Sequence, residues 1–271
     1  MAAVGWPTAV FGIGLPVTGT ETGCRMKSTG QLVRVTDITP YQRNEMFALM
    51  DGYYEQVTRS AFEADLDEKQ WGILLLEEGT GRVLGFSTQL ILQLRVDDRP
   101  IRALFSGDTI IDRNAWGQQN LFQISGWLLR WMIDTYPHDE LYWYLISKGY
   151  KTYRFLPLFF HEYYPCYDEA TPARIAAVID ALSLSRFPDN YDREAEIVKA
   201  NEKSGCRLRP GVADITTERL RDPHIRFFDN RNPGHARGDE LCCIAPLSLT
   251  NFTRVAYRAM GPHPPTEMAL S

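Results

Sequence analysis

Three extended runs separated by two tight turns fill the stretch from Trp71 to Ile111, and they constrain the fold more than any other feature of the chain. Trp71 to Glu77, Arg82 to Val96 and Arg102 to Ile111 are strand-like, and Glu78-Gly-Thr-Gly81 and Asp97-Asp-Arg-Pro100 have turn compositions. Short turns of this kind join antiparallel neighbours, so a three-stranded meander is expected. The meander runs directly into a loop, Arg113 to Asn120, and then a helix carrying Leu121, Ile124, Leu128 and Trp131 on one face. A helix start offers unpaired N–H groups and the positive end of its dipole. The unit is therefore either a plain connection or a seat for an anion. Glu140 to Ser147 is the next β-rich run. Reached through a helix, it should lie parallel to the strand it follows, with a right-handed crossover.

The remaining elements are placed around this unit. Leu32, Val33, Val35 and Ile38 alternate with polar residues in a first strand, Gln31 to Ile38. Thr39 and Pro40 then open a helix whose apolar face runs from Met46 to Val57, and Ser60 to Lys69 reads as a second, acidic helix capped by Ser60. Tyr150 to Phe160 reads as a further helix, introduced by Ser147-Lys148-Gly149. Beyond residue 170, Thr171 to Leu184 is an amphipathic helix with Ile175, Val178, Ile179 and Leu182 on one face, and Tyr191 to Lys203 reads as a charged helix. Asp222 to Glu240 is a long polar loop, followed by a strand, Leu241 to Pro246, and a helix, Leu249 to Met260, that complete the same sheet. This divides the chain into an N-terminal extension (1–30), a core (31–170) and a C-terminal elaboration (171–271).

Composition excludes several classes. A chain of 271 residues with 44% hydrophobic residues can bury a full core. A net charge of −5 without a basic stripe argues against nucleic acid as partner. The longest apolar runs, Gly72 to Leu76 and Phe155 to Phe160, are too short to span a bilayer, and Met1 to Gly23 lacks the basic start of a signal peptide. The five cysteines, Cys24, Cys166, Cys206, Cys242 and Cys243, are odd in number without C-x-x-C spacing, so neither a disulfide framework nor a zinc site is indicated. A reducing cytoplasm fits, no metal is expected, and Cys242 and Cys243 read as core residues of a strand.

The order strand, two helices, three-strand meander, helix, strand, helix over residues 31–170 resembles the GNAT superfamily of acyl-CoA-dependent acyltransferases. The resemblance implies a mixed α/β (α+β) fold with a mostly antiparallel central sheet flanked by helices, here with a C-terminal α/β extension. It also implies that the fourth and fifth strands splay apart around an acyl thioester. In that family the loop after the fourth strand binds the coenzyme A pyrophosphate through a glycine-rich pattern. The matching stretch here is Trp116-Gly-Gln-Gln-Asn-Leu121, a degenerate version with Trp116 at the usual arginine and Gln119 and Leu121 at small positions. The implied cofactor-binding set is Ile110, Ile111, Trp116, Gly117, Gln118, Gln119 and Asn120. Side chains in place of glycine restrict the approach of backbone to phosphate, which an acyl carrier protein donor would tolerate better than free acyl-CoA.

Candidate chemistry follows from the implied acyl transfer to a small-molecule amine. Asp108 lies among apolar residues on a strand; it either marks a bulge beside Gly107 or serves as the base that frees the amine lone pair. Tyr153, with Tyr150 as rival, either protonates the departing thiolate or packs against the sheet. His161 is a second candidate base. Lys148 and Lys151 either meet phosphate or sit in solvent. His224, Arg226, Asn230 and His235 in the long polar loop would line an acceptor pocket. Trp127, Trp131, Trp143 and Phe159 would shape an acyl tunnel or simply fill the core. The expected protein is an acyltransferase acting on acyl-CoA or an acyl carrier protein. Thioester decarboxylation or hydrolysis, or non-catalytic thioester binding, are the alternatives, and a homodimer is compatible with the sequence.

Overall fold

The computed structural model describes residues 27–116, 119–200 and 206–262. The first strand, β1 (Ser28–Arg34), is followed by α1 (Pro40–Tyr53), β2 (Tyr54–Glu55) and α2 (Arg59–Asp67). The meander is β3 (Trp71–Glu77), β4 (Val83–Val96) and β5 (Arg99–Ile111), and α3 (Asn120–Thr135) crosses to β6 (Glu140–Ser147). Then come α4 (Tyr150–Tyr153), α5 (Phe155–Phe159), α6 (Ala173–Arg186), β7 (Tyr191–Asp192), β8 (Ile197–Val198), β9 (Arg207–Leu208), α7 (Pro223–Arg231), β10 (Glu240–Pro246) and α8 (Arg254–Met260). Eight strands form one sheet in the order β1-β3-β4-β5-β6-β10-β8-β7, and β2 pairs with β9 in a small second one.

Every pair in the large sheet is antiparallel except β5 with β6, as the helical crossover requires. Helices cover both faces. On one, Met46, Met50, Phe62 and Leu66 of α1 and α2 pack with Leu74 and Phe86, while Val178, Ile179 and Leu182 of α6 pack with Phe105 and Tyr144. On the other, Leu121, Ile124, Leu128 and Met132 of α3 join Ile73, Leu75, Leu104 and Leu145. Each such fully buried side chain contributes about 1.5–3 kcal/mol. The fold is mixed α/β with a mostly antiparallel sheet, and its element order makes it GNAT-like.

Helix starts show how local chemistry sets the boundaries. Thr39 and Gln42 form a reciprocal capping box, with Pro40 in the first turn of α1. α2 is capped by Thr58, whose hydroxyl accepts from the Ala61 N–H, not by Ser60 as the sequence suggests. The expected helix Tyr150 to Phe160 is broken into α4 and α5. Pro157 lacks the N–H that would bond the Tyr153 carbonyl in a continuous helix, and its ring crowds that carbonyl.

Three further expectations are corrected. The described part of the charged run Tyr191 to Lys203 is no helix but the β7–β8 hairpin, where the Asp192 carboxylate accepts from the Ala195 N–H and Glu196 adopts positive φ. The long polar segment after Asp222 is largely helical: Asp222 caps α7, Pro223 takes its first position, and Ile225 and Phe228 form its buried face. Only Arg254–Met260 of the last segment is α-helical, capped by Thr253. Residues 1–26, including Cys24 and nearly all of the expected N-terminal extension, lie outside the described residues, and residues 28–30 are already part of β1.

The sheet forks at its centre. β5 and β6 pair from Ile101 with Glu140 to Ser106 with Leu145 and then separate, although both strands continue. Beyond that point β5 remains bonded to β4 through Ile111, and β6 remains bonded to β10 through Ser147. Each strand is held by its outer neighbour, so the gap is built into the sheet.

Candidate active site

A β-bulge stands at the mouth of the fork. Ser87 faces Thr109 and Gln89 faces Ser106, so Gly107 and Asp108 together oppose the single residue Thr88. A Cβ at Gly107 would lie 2.6 Å from the Thr88 hydroxyl and 3.0 Å from the Lys69 side chain, so only glycine fits here without displacing a neighbour. The bulge re-aims the next side chain, and Asp108 faces a cleft of about 290 Å³ between the fork and the α1–α2 layer.

The cleft is polar where Asp108 enters it. Lys69, with its side chain fully buried, pairs with Asp65 at 2.7 Å, and Lys148 pairs with Glu240 at 3.0 Å. Burial pulls the Lys148 pKa down more than any single neighbour raises it, but the charge and hydrogen bond of Glu240, with Cys206 and Tyr54, together outweigh it and hold the ammonium charged. Asp108 itself accepts no hydrogen bond and forms no close ion pair among the described residues. Its pKa is pushed up to about 6, first by loss of solvent and then by the negative charge of Asp65, with Lys148 and Lys69 pulling the other way. A carboxyl poised there is mostly ionised at neutral pH yet remains a useful proton acceptor.

Tyrosines line the same cleft. The Tyr53 hydroxyl accepts from the Arg113 N–H at 2.7 Å, fixing the end of β5 to α1. Tyr54 lies beside Lys148, whose ammonium stands 5.7 Å from its ring centroid. Burial raises the Tyr54 pKa well above that of a free phenol, so its proton stays in place at neutral pH. Cys206 also lines the cleft, but burial pushes its thiol up to about 11, which leaves little thiolate for a nucleophilic role.

A cationic group occupies the outer rim. Lys151 stands 4.7 Å from the Trp116 ring centroid, and Arg219 lies over Tyr150 at 5.4 Å. Desolvation and then the charges of Arg219 and Arg113 lower the Lys151 pKa, with Asp214 opposing, so both guanidinium groups lie within electrostatic range of Lys151. Such a cluster is suited to an anion.

The fork opens on its other side into a second, apolar cavity of about 60 Å³ beneath β5 and β6, bounded by α3, α5 and α8. Gly107, Thr109 and Thr152 line both cavities, so the two meet at the bulge. The floor of the second is a hydrogen-bonded chain in which Trp143 donates to Ser106, Ser106 to Gln89 and Gln89 to Ser87, with Thr109 bonded to Ser87, every link 2.7–2.8 Å. The buried hydroxyls are thereby satisfied by one another.

Of the residues singled out from sequence, Asp108, Ile110, Ile111, Trp116, Lys148 and Lys151 line the cleft. The Ile111 carbonyl is engaged by the Trp116 indole N–H at 3.1 Å. Gln119 is exposed and Asn120 donates to the Ser28 carbonyl at 2.6 Å, so Asn120 ties α3 to β1. Gly117 and Gln118 lie outside the described residues. Tyr153 is misplaced for the proposed role: it is fully buried away from both cavities, donates to the Pro165 carbonyl at 2.9 Å and packs against Phe227 and Phe228. Its rival Tyr150 is equally buried and lines neither cavity. His161 is exposed on a bend beside Asn251, outside the cleft.

The four residues expected to line an acceptor pocket are also elsewhere. His224 bonds to the Tyr163 hydroxyl at 3.0 Å, Arg226 donates to the Leu220 carbonyl, Asn230 is exposed, and His235 meets Asp229 at 3.3 Å. Helix formation from Pro223 directs His224, Arg226 and Asn230 around α7, and His235 lies beyond it in a short turn, His235–Arg237, so the four do not share one pocket. Sequence reading missed Asp65, Lys69, Tyr54 and Glu240. Only Glu240 carried a signal, as a carboxylate entering an apolar strand.

No protein-family model matches the chain, and no curated protein matches it. Solved structures with which it aligns include a conserved protein of unknown function from Enterococcus faecalis described as a probable N-acyltransferase (14% identity, TM-score 0.36, 47% of this chain and 31% of that one). Others are a GNAT-family N-acetyltransferase from Escherichia coli in complex with CoA (14%, 0.35, 50% and 71%) and glucosamine-6-phosphate N-acetyltransferase from Arabidopsis thaliana (13%, 0.33, 44% and 81%). The aligned region thus spans less than a third of the Enterococcus protein. Among the described residues no helix is long and apolar enough to cross a membrane, and no group of His, Cys, Asp and Glu is arranged to hold a metal ion.

Proposed function

We propose that this protein transfers an acyl group from a thioester donor to an amine acceptor at the fork between β5 and β6. The observation that supports this reading most is Asp108, a desolvated carboxyl without a direct partner, presented by a bulge where two strands separate. An amine reaches neutral water as an ammonium ion, which has no lone pair. Asp108 takes that proton, and the freed nitrogen attacks the thioester carbonyl to form the C–N bond. Backbone groups released from the ladder by the bulge are suited to the oxygen charge of the tetrahedral intermediate. As the C–S bond breaks, Tyr54 passes its proton to sulfur and recovers one from the nitrogen, leaving an amide and a free thiol. Tyr54 thus replaces Tyr153 as the proton donor, and Asp108, which has no direct partner among the described residues, favours a cationic acceptor. Arg113, Lys151 and Arg219 at the rim suit the phosphate of a pantetheine donor, whether coenzyme A or a carrier-bound arm.

The test is to incubate the purified protein with acetyl- and longer acyl-CoA and a panel of small amines, following free thiol and the mass of the N-acyl product. Thiol release that depends on amine, and falls by about 10²–10⁴ in Asp108→Asn, is expected. Release without amine would make the protein a thioesterase. No release with any donor would contradict thioester chemistry altogether.

A further inference from the structure

The apolar cavity beneath the fork has no part in the transfer step itself, and its walls indicate what it holds. Resting on the acyl-transfer reading, we propose that it is the seat of an aliphatic acyl chain of about four to six carbons, longer than acetyl, and that Met260 sets its depth. Continuity is the first argument. The cavity meets the cleft at Gly107, Thr109 and Thr152, so a thioester whose carbonyl lies at the bulge can direct its chain into it.

Chemistry is the second. Away from its hydrogen-bonded floor the wall is apolar and aromatic, with Phe122 and Phe155 centred 5.1 Å apart and Phe155 and Phe159 stacked at 5.9 Å. The floor hydroxyls bond to one another, leaving few groups to recognise a polar ligand. Size is the third argument. At about 10–15 Å³ of such space per water-sized group, 60 Å³ accepts about four to six methylenes.

Met260, the last residue of α8, is buried and lines the cavity beside Gly126. The Trp127 indole donates to its carbonyl at 2.7 Å, which pins the backbone, while the flexible thioether lies against Gly126 of α3. A Cβ at Gly126 would collide with the Met260 side chain, so glycine leaves the room in which the thioether sits at the cavity wall.

The experiment is calorimetric binding of coenzyme A and of acetyl, butyryl, hexanoyl, octanoyl and decanoyl thioesters of pantetheine to the wild type, Met260→Ala and Ser125→Leu. In the wild type, affinity should rise about threefold to fourfold per methylene up to hexanoyl and then stop rising. Met260→Ala should carry the rise to longer chains, and Ser125→Leu, which adds bulk on the α3 wall, should end it earlier. If coenzyme A and acetyl pantetheine bind but longer chains bind no better, the cavity proposal falls while acyl transfer stands. A rise whose end point neither variant moves overturns the assignment of the wall. Absence of binding by every compound overturns both. The wild-type series alone decides the first point should a variant fail to fold.

Discussion

At the residue scale, Asp108 links stability to function. Its folded pKa, about 6, exceeds that of an unfolded aspartate, so between the two values the folded state holds the extra proton. Stability associated with this group is therefore full below the unfolded pKa and is lost as pH rises through about 6. At neutral pH the ionised carboxyl is a burden on the fold. Asp108→Asn should raise unfolding free energy at neutral pH by roughly 1–3 kcal/mol, with the gain vanishing in acid, as measured by urea denaturation across pH. An unchanged or lowered stability would mean that Asp108 is structurally paired after all. Glu240→Gln, by contrast, leaves Lys148 deep in the cleft without its carboxylate, and should cost about 2–4 kcal/mol in the same measurement.

At the element scale, the bulge and the fork decide what the strands present. Thr88 keeps a buried hydroxyl with no hydrogen-bond partner, directed at the face of Gly107 that a methyl group would need. Gly107→Ala should destabilise by about 1–3 kcal/mol. Adding Thr88→Ala should recover part of that, because the nearer of the two obstructing atoms is removed, leaving Lys69. No recovery in the double variant would mean that the backbone, not the side-chain clash, rejects alanine.

This scale also shows what the sequence made legible. The meander, the parallel crossover and the apolar face of α6 follow from periodicity and turn chemistry, which act locally. Asp108 stood out because its neighbours on the strand are apolar. Tyr54 did not, because the helical spacing of Tyr53 and Val57 continued through a point where the chain leaves α1 for β2. The dense polar composition after Asp222 concealed a capped helix, and the signal that Asp222 and Pro223 carried was outweighed by counting polar residues. Tyr153 was chosen by position after β6, but Pro157 shortens the helix and its ring turns into the core. The pairing of Lys148 with Glu240 joins segments far apart in sequence, which no local pattern reports.

At the scale of the whole molecule, the fork exists because two remote segments hold its sides. β4 retains the end of β5, and β10, from the C-terminal part of the chain, retains the end of β6. Removing everything after residue 170 would leave β6 an apolar edge strand paired only with β5 and expose the residues that pack against Ile244 and Cys243 in the two cores. Such a fragment should lack a cooperative unfolding transition, and a truncated chain that unfolds like the whole protein would show that β10 is dispensable.

The same architecture surrounds Asp108 with charges of both signs: Lys148 lowers its pKa and Glu240 raises it. The pH dependence of single-turnover acyl transfer in the wild type, Lys148→Met and Glu240→Gln tests this most directly. The rate should rise through about pH 6 in the wild type, with the rise displaced to higher pH in Lys148→Met and to lower pH in Glu240→Gln. A profile without that limb, or one that both substitutions move in the same direction, would contradict Asp108 as the base and with it the fork as the reaction centre.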